Sequence, residues 1–376
     1  MLIGIDGNEA NVKRRVGIGE FSYELINQLA KLNSANTDFR VYLKKQPADD
    51  FPLMSLNWQY SVFGPQKMWT QFALPVRLLL ETKKPKVFFT PSHYAPRVSL
   101  CPSVISIMDL AFVHFPQYFA KKDLYQLHNW TKYSVKNAAR IITISQASRS
   151  DILKEYGISQ DKVIVVYPGI KPIKTMSTLE PHVYRWQEVR RKFDLSDEFI
   201  LLVSTLQPRK NITRLIEAFS KLKEARNKEL QLIIVGKKGW LYEDILAAPT
   251  KFGVVNKVKF LDFVNDEELE VLYKNAQLFV YPSLYEGFGL PILEAMRFDC
   301  PVVASNVSSL PEAGGKAALY FDPLNVEDMS KVMEKALSDK NLRDQMVTQG
   351  HEQALKFSWE KAANQTLEIL KQVAKT

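Results

Sequence analysis

Cysteine is nearly missing from this chain of 376 residues: Cys101 and Cys300 are the only two. Both sit among apolar neighbours, too few for a disulfide framework and matching no clustered Cys/His metal spacing, and this usage fits a reducing, cytoplasmic compartment. Long apolar runs are missing too. No stretch approaches the roughly 18 to 20 apolar residues of a bilayer-spanning helix, and the chain opens on the strand-like Leu2-Ile3-Gly4-Ile5-Asp6, so neither a span nor a secretory leader is expected. Zinc-finger spacings, RNP motifs and polybasic helices are absent, which argues against nucleic acid as a partner. Internal repeats and low-complexity tracts are absent as well.

What is present is an ordinary globular composition, 46% apolar and 24% charged, in a chain longer than one hydrophobic core usually serves. Two domains with a cleft between them are expected. The formal charge of +9 is uneven: residues 1–175 carry about +10 and the remainder about −1. Such asymmetry suits an anionic partner, and a membrane surface is one candidate.

Short β-branched runs alternate with longer amphipathic segments, the pattern of parallel strands joined by crossover helices. Strands are expected at residues 2–6, 39–44, 59–63, 86–90, 103–107, 140–144 and 162–167, with helices at 21–32, 69–81, 122–137 and 146–156. From Pro168 to Asp197 the alternation lapses, with Pro172, Pro181 and one helical piece at 185–193, and the interdomain linker belongs near its start. A second α/β unit then shows strands at 199–204, 230–235, 258–261, 278–281, 301–304 and 318–321. After Asn325 the chain reads as helical to the end, and the helix opened by Phe357-Ser358-Trp359-Glu360 needs a surface for its apolar face. The expected domains are 1–172, with 358–376 packing back on it, and 173–357. Ligands of open α/β sheets bind beyond the carboxyl ends of the strands, so binding features should directly follow strands.

The most informative string is Tyr281-Pro282-Ser283-Leu284-Tyr285-Glu286-Gly287-Phe288-Gly289-Leu290-Pro291-Ile292-Leu293-Glu294-Ala295-Met296, running from a strand through a glycine-bearing loop into a helix. Gly287 and Gly289 let backbone approach a ligand, and the free amides of the helix starting near Leu290 attract a diphosphate. Glu294, one turn in, is placed to accept hydrogen bonds from ribose hydroxyls. Pairing with the helix dipole explains Glu286 alone but not the whole string. Arg209 and Lys210 follow the strand ending near Ser204 and precede another helix, the right position for cations meeting a pyrophosphate, although a solvated surface pair reads the same way.

These residues resemble the Glu-x7-Glu signature of the retaining, GT-B fold glycosyltransferases of family 4. The resemblance extends to Thr205-Leu206-Gln207-Pro208-Arg209-Lys210-Asn211, to Gly236-Lys237-Lys238-Gly239-Trp240-Leu241-Tyr242 and to Ser308-Ser309-Leu310-Pro311-Glu312-Ala313-Gly314-Gly315. It implies two Rossmann-like, doubly wound α/β domains facing a central cleft. It further implies transfer of a sugar from a nucleotide-diphosphate donor to a hydroxyl of a glycan or lipid-linked glycan. The implied catalytic residues are Glu286, Arg209, Lys210 and Asp109. The donor is expected on Gly17, Gly19, Ser204, Thr205, Arg209, Lys210, Gly236, Val264, Asp266, Glu286, Gly287, Phe288, Gly289, Leu290 and Glu294, with its base near Phe263-Val264-Asn265-Asp266. The likeness is to the mannosyltransferase-like members, which points to GDP-mannose, with UDP-sugars as the alternative. No Asp-x-Asp triplet occurs to hang a divalent cation on, so no metal and no other cofactor are expected, the positive charge coming from Arg209, Lys210 and a helix N-terminus.

In the first half, Val16-Gly17-Ile18-Gly19-Glu20-Phe21 is either a helix-starting turn or the family's loop over the donor diphosphate; it lacks the dinucleotide fingerprint. Ser145 is a candidate helix cap, to which the resemblance adds a place at the cleft floor. Tyr167-Pro168-Gly169-Ile170 is a simple turn or a hinge. Met108 stands before Asp109 where relatives carry a histidine near the donor sugar, and Met supplies neither a proton nor a comparable donor. Asp109 serves sugar or acceptor hydroxyls, or merely caps a loop; His93, His114 and His128 read as structural or surface groups. The resemblance implies that the donor phosphate itself helps deprotonate the acceptor, so activity survives the missing histidine. Rival readings are an epimerase or phosphorylase of similar fold, and a non-catalytic nucleotide-sugar-binding homologue.

Overall fold

The computed structural model describes residues 1–32, 36–170, 182–222 and 229–375. The chain sorts into two units, one of Met1–Gly169 with Phe357–Thr376 and one of Ile170–Lys356. The domain boundary expected at 172/173, with Pro172 and Pro181, lies outside the described residues.

The first unit runs β1 (Leu2–Asp6), α1 (Ile18–Lys31), β2 (Asp38–Leu43), β3 (Trp58–Val62), α2 (Ala73–Leu80), β4 (Val87–Thr90), β5 (Ser103–Ser106), α3 (Ala111–His114), α4 (Lys121–Asn137), β6 (Arg140–Thr143), α5 (Gln146–Tyr156) and β7 (Val163–Val165). Its seven strands are all parallel, in the order β3-β2-β1-β4-β5-β6-β7. The central strands β1, β4 and β5 are buried at every position, as strands covered by helices on both faces must be. Ser145 caps α5, accepting from the Ser148 amide at 3.0 Å.

The second unit runs α6 (His182–Phe193), β8 (Phe199–Val203), α7 (Ile212–Ser220), β9 (Gln231–Val235), α8 (Glu243–Lys251), β10 (Val258–Leu261), α9 (Asp266–Asn275), β11 (Leu278–Tyr281), α10 (Leu290–Arg297), β12 (Val302–Ser305), α11 (Leu310–Gly314), β13 (Ala318–Phe321), α12 (Val326–Ser338) and α13 (Lys340–Ala354). Six parallel strands are ordered β10-β9-β8-β11-β12-β13. Both sheets are thus doubly wound. The order reverses between β1 and β4 in one and between β8 and β11 in the other, the points beyond whose carboxyl edge ligands of open α/β sheets bind.

A last helix, α14 (Trp359–Val373), belongs to the first unit, where it packs on α1 and against β4 and β6. Trp359, Ala362, Ala363, Leu367 and Leu370 form its buried face, and the Trp359 and Phe21 rings meet edge to face at 5.6 Å.

Two helical expectations are corrected. The helix expected from Trp69 starts only at Ala73, because Met68 adopts a left-handed conformation (φ 49°) and its carbonyl closes a tight turn on the amides of Gln71 and Phe72. The carboxyl-terminal stretch is three helices, the last opening at Ser358 as expected and the first two parted at a break the sequence did not announce. Asp339 ends α12 and caps α13 through its carboxylate, and Ser358 opens α14 in the same way.

Candidate functional site

In the second unit, the loops leaving β8 and β11 flank the point where the strand order reverses. The first carries Ser204 to Lys210. Gly236, after β9, has φ 149°, and a Cβ there would lie 2.0 Å from the Ser204 carbonyl oxygen, so only glycine lets the two loops meet. The Ser204 amide bonds the Val235 carbonyl at 2.9 Å, and Leu206 exchanges bonds with Lys237 and Gly239. Asn211, left-handed at φ 59°, turns the chain into α7, and its side-chain amide donates to the carbonyls of Pro282 and Pro323 at 3.1 and 2.7 Å. Those bonds tie the β8 loop to the loops after β11 and β13, and the Leu284 amide adds a bond to the Arg209 carbonyl at 2.9 Å.

That tie brings Arg209, Lys210 and Glu286 together. The Lys210 ammonium lies 2.5 Å from Glu286 Oε1 and donates to the Tyr281 hydroxyl at 3.2 Å. The Arg209 guanidinium is 3.4 Å from Glu286 Oε2 and donates to the Tyr285 carbonyl. Lys210 and Glu286 are both buried. Burial pushes the Glu286 carboxyl upward, but the charges of Lys210 and Arg209 outweigh it and hold its pKa at about 2. The trio carries a net single positive charge, which suits an anionic ligand.

Glu286 is also held from behind: its amide donates to Ser308 Oγ at 3.0 Å, and Ser309 Oγ donates to its carbonyl at 2.8 Å. Gly287 and Phe288 are buried next to it. Gly289, at φ 105°, is the cap of α10, so Leu290 and Pro291 open a helix whose amino end adjoins the same loop, with the Ile292 amide closing on the Gly289 carbonyl at 3.0 Å. Glu294, one turn on, is half-buried and accepts from the Tyr273 hydroxyl at 3.2 Å. Beyond β10, Val264 is buried and Asp266 is exposed in the first turn of α9, whose amino end is closed by a capping box between Asn265 and Glu268. Thr205, between Ser204 and Leu206, is half-buried.

The first unit holds Gly17, Gly19 and Asp109. Gly17 precedes α1 and Gly19 lies in its first turn. Asp109 Oδ1 accepts from the Ala111 amide at 2.8 Å, so it does cap the turn into α3. Ser148 Oγ bonds the Met108 carbonyl at 2.9 Å, joining the α5 amino end to the β5 loop.

Sequence reasoning passed over several groups here. Ser308, Ser309 and Tyr281 were part of motifs but had no role of their own, and Tyr273 was not singled out. Asp6, last in β1 beside the first unit's reversal point, has its pKa pushed up to about 6 by burial, against hydrogen bonds from Asn8. His93 follows β4, where the Ser106 amide donates to the Ser92 carbonyl at 3.3 Å. Burial lowers its pKa and the charge of nearby Asp109 opposes that. His114 pairs with Asp151 at 3.0 Å, and His128 packs edge-on against Phe112.

Comparison with known proteins bears on the family and the fold. The family described as "Glycosyltransferase Family 4" matches residues 17–173, and "Glycosyl transferases group 1" matches residues 186–353. The O-antigen chain mannosyltransferase B of Escherichia coli is 33% identical over 300 residues, covering 78% of this chain and 76% of that one. The serotype-specific mannosyltransferase WbdA of Escherichia coli is 34% identical over 235 residues; the match spans 62% of this chain but 29% of that longer protein. Among solved structures, Anabaena Alr3699/HepE in complex with UDP and glucose superimposes with a TM-score of 0.74 at 18% identity, covering 99% of both chains, a likeness of fold and here the GT-B fold. With a relative at this identity across three quarters of both sequences, and family matches on each half, the chain belongs to glycosyltransferase family 4.

Proposed function

We propose that this glycosyltransferase moves mannose from GDP-mannose to a hydroxyl of a glycan or lipid-linked glycan, with retention at the anomeric carbon and without a metal ion. The observation that carries the reading is the convergence of Arg209, Lys210 and Glu286 beside the α10 amino end, at the reversal point of the second sheet. Two cations and the positive amino end of the α10 dipole offer a diphosphate the charge compensation that a divalent ion would otherwise supply. Glu286 keeps both cations oriented before the donor arrives, and its acidity keeps it ionised at neutral pH. Glu294 takes the ribose hydroxyls, and the residues around Val264 and Asp266 take the base. In the reacting complex, the acceptor oxygen bonds to the anomeric carbon on the face from which the phosphate oxygen leaves. The acceptor proton passes to that phosphate oxygen, and GDP departs with its charge on Arg209, Lys210 and the amino end of α10. Gly17, Gly19 and Asp109 on the first unit remain part of the proposal, as does an acceptor held at an anionic membrane.

Mannose is favoured by the names of the two Escherichia coli relatives. A UDP-sugar donor is the second reading, favoured by the UDP and glucose bound to the HepE structure. A thermal-shift series with GDP, UDP, GDP-mannose and UDP-glucose separates them, since a ligand at 100 times its Kd adds about 2.7 kcal/mol of apparent stability. GDP and GDP-mannose are expected to raise the melting temperature; no shift with any of the four would overturn the reading. Excess chelator is expected to leave transfer unchanged, and a large loss of rate would refute its metal-free part.

A further inference from the structure

Helix α2 is apolar on two sides. Inward, Leu74 and Leu78 are buried with Trp69, Tyr42 and Phe88, and the Trp69 indole donates to the Phe63 carbonyl at 3.0 Å, which fixes the helix on the sheet. Outward, Phe72 at its cap and Val76, Leu79 and Leu80 are 60%, 53%, 41% and 77% exposed. The spacing i, i+4, i+7, i+8 places these four on one stripe. A single exposed leucine needs no explanation, but four large apolar side chains in one stripe mark a surface that something covers.

The surrounding charge says what. From Gly64 to Cys101 the chain has six Lys and Arg residues and one acid, Glu81. Glu81 projects no negative charge outward, because it is buried and paired with Arg40 at 2.6 Å and with Arg77 at 3.3 Å. Arg77 lies on the flank of the stripe, and Lys83, Lys84 and Lys86 follow directly at its end, all exposed, with Lys83 paired to Asp38 at 2.9 Å and Lys84 and Lys86 left to carry the positive charge. A second copy of the chain would bring the same cations against themselves, and a protein partner would need an acidic, apolar counterpart. An anionic lipid surface supplies both complements at once: headgroup charge for the lysines and acyl boundary for the stripe. Eight residues cannot span a bilayer, so the helix lies in the interface plane.

We infer that α2 is a membrane-docking helix, which seats Phe72, Val76, Leu79 and Leu80 in the headgroup boundary of an anionic bilayer while Arg77, Lys84 and Lys86 meet the phosphates. The inference deepens the reading of a membrane-held acceptor, yet it is tested without donor or acceptor, so its failure leaves the transferase chemistry standing.

The test is flotation of the full chain with vesicles of 70% phosphatidylcholine and 30% phosphatidylglycerol, in low and high salt. The wild type is expected to float at low salt and to retain a salt-resistant fraction. Phe72→Ser with Leu80→Ser is expected to weaken partition by about tenfold or more and to abolish that fraction. Lys84→Glu with Lys86→Glu is expected to remove the salt-sensitive part. Both variants change exposed positions, and an unaltered melting temperature and GDP-induced shift will show that they fold. Flotation of the apolar double variant equal to wild type, or no vesicle binding by the wild type, overturns the inference. So does light scattering that finds a wild-type dimer turned monomeric by the Phe72 and Leu80 substitutions.

Discussion

Lys210 is buried against one carboxylate and one phenol, an arrangement that costs desolvation and is repaid only if the ammonium has charge to meet. Lys210→Ala is expected to lower kcat/KM by roughly 10- to 150-fold, the equivalent of losing one charge-assisted hydrogen bond of about 1.5 to 3 kcal/mol. Kinetics indistinguishable from wild type would remove Lys210 from the site. Glu286 makes a second, independent prediction. Its folded pKa of about 2 lies below the ordinary 4.5, so the unfolded chain takes up the proton first. The stabilising contribution is therefore complete above about pH 4.5 and lost as pH falls toward 2; it amounts to about 3 kcal/mol at full strength. Urea unfolding of wild type and Glu286→Gln should show a stability gap at pH 7 that narrows steadily below pH 4.5. A gap independent of pH would show that Glu286 is not ion-paired in solution.

At the scale of elements, Gly289 is the joint between the β11 loop and α10. A Cβ there would come 2.7 Å from Leu310 Cδ2, on a backbone at φ 105°. Gly289→Ala is expected to cost about 1 to 3 kcal/mol. Adding Leu310→Ala should return the steric share and leave the backbone share, which a double-mutant cycle in urea measures. The strands were the legible part of this protein: each of the thirteen, from Leu2–Asp6 to Ala318–Phe321, begins and ends within two residues of its apolar run. A buried parallel strand is written as an unbroken β-branched run, so periodicity finds it. The α2 start was not legible, because the left-handed Met68 has no glycine or asparagine to announce it. Asp339 was equally silent as a helix break, since an aspartate reads as surface until its carboxylate is seen capping Leu342. In the site, the strand-loop-helix order of 281–296 could be read directly, whereas the serine clamp on Glu286 comes from β12, a strand away, and no local spacing encodes it.

At the scale of the molecule, one unit is built from two separated stretches of chain, with Trp359 at the junction, 3% exposed and packed on Phe21. Trp359→Ala is expected to cost about 3 to 5 kcal/mol. Hydrogen exchange should show the loss in α1, β4 and β6 while β8 to β13 keep their protection; uniform loss across both sheets would mean that the units unfold as one. The same arrangement sets an order of events during synthesis. All seven strands of the first sheet leave the ribosome by Val165, yet their covering helix arrives only with Phe357–Thr376, after the whole second unit. At about 5 to 20 residues per second, that leaves the apolar patch around Phe21 bare for roughly 10 to 40 s, a window in which a chaperone has something to hold and the second unit can fold first.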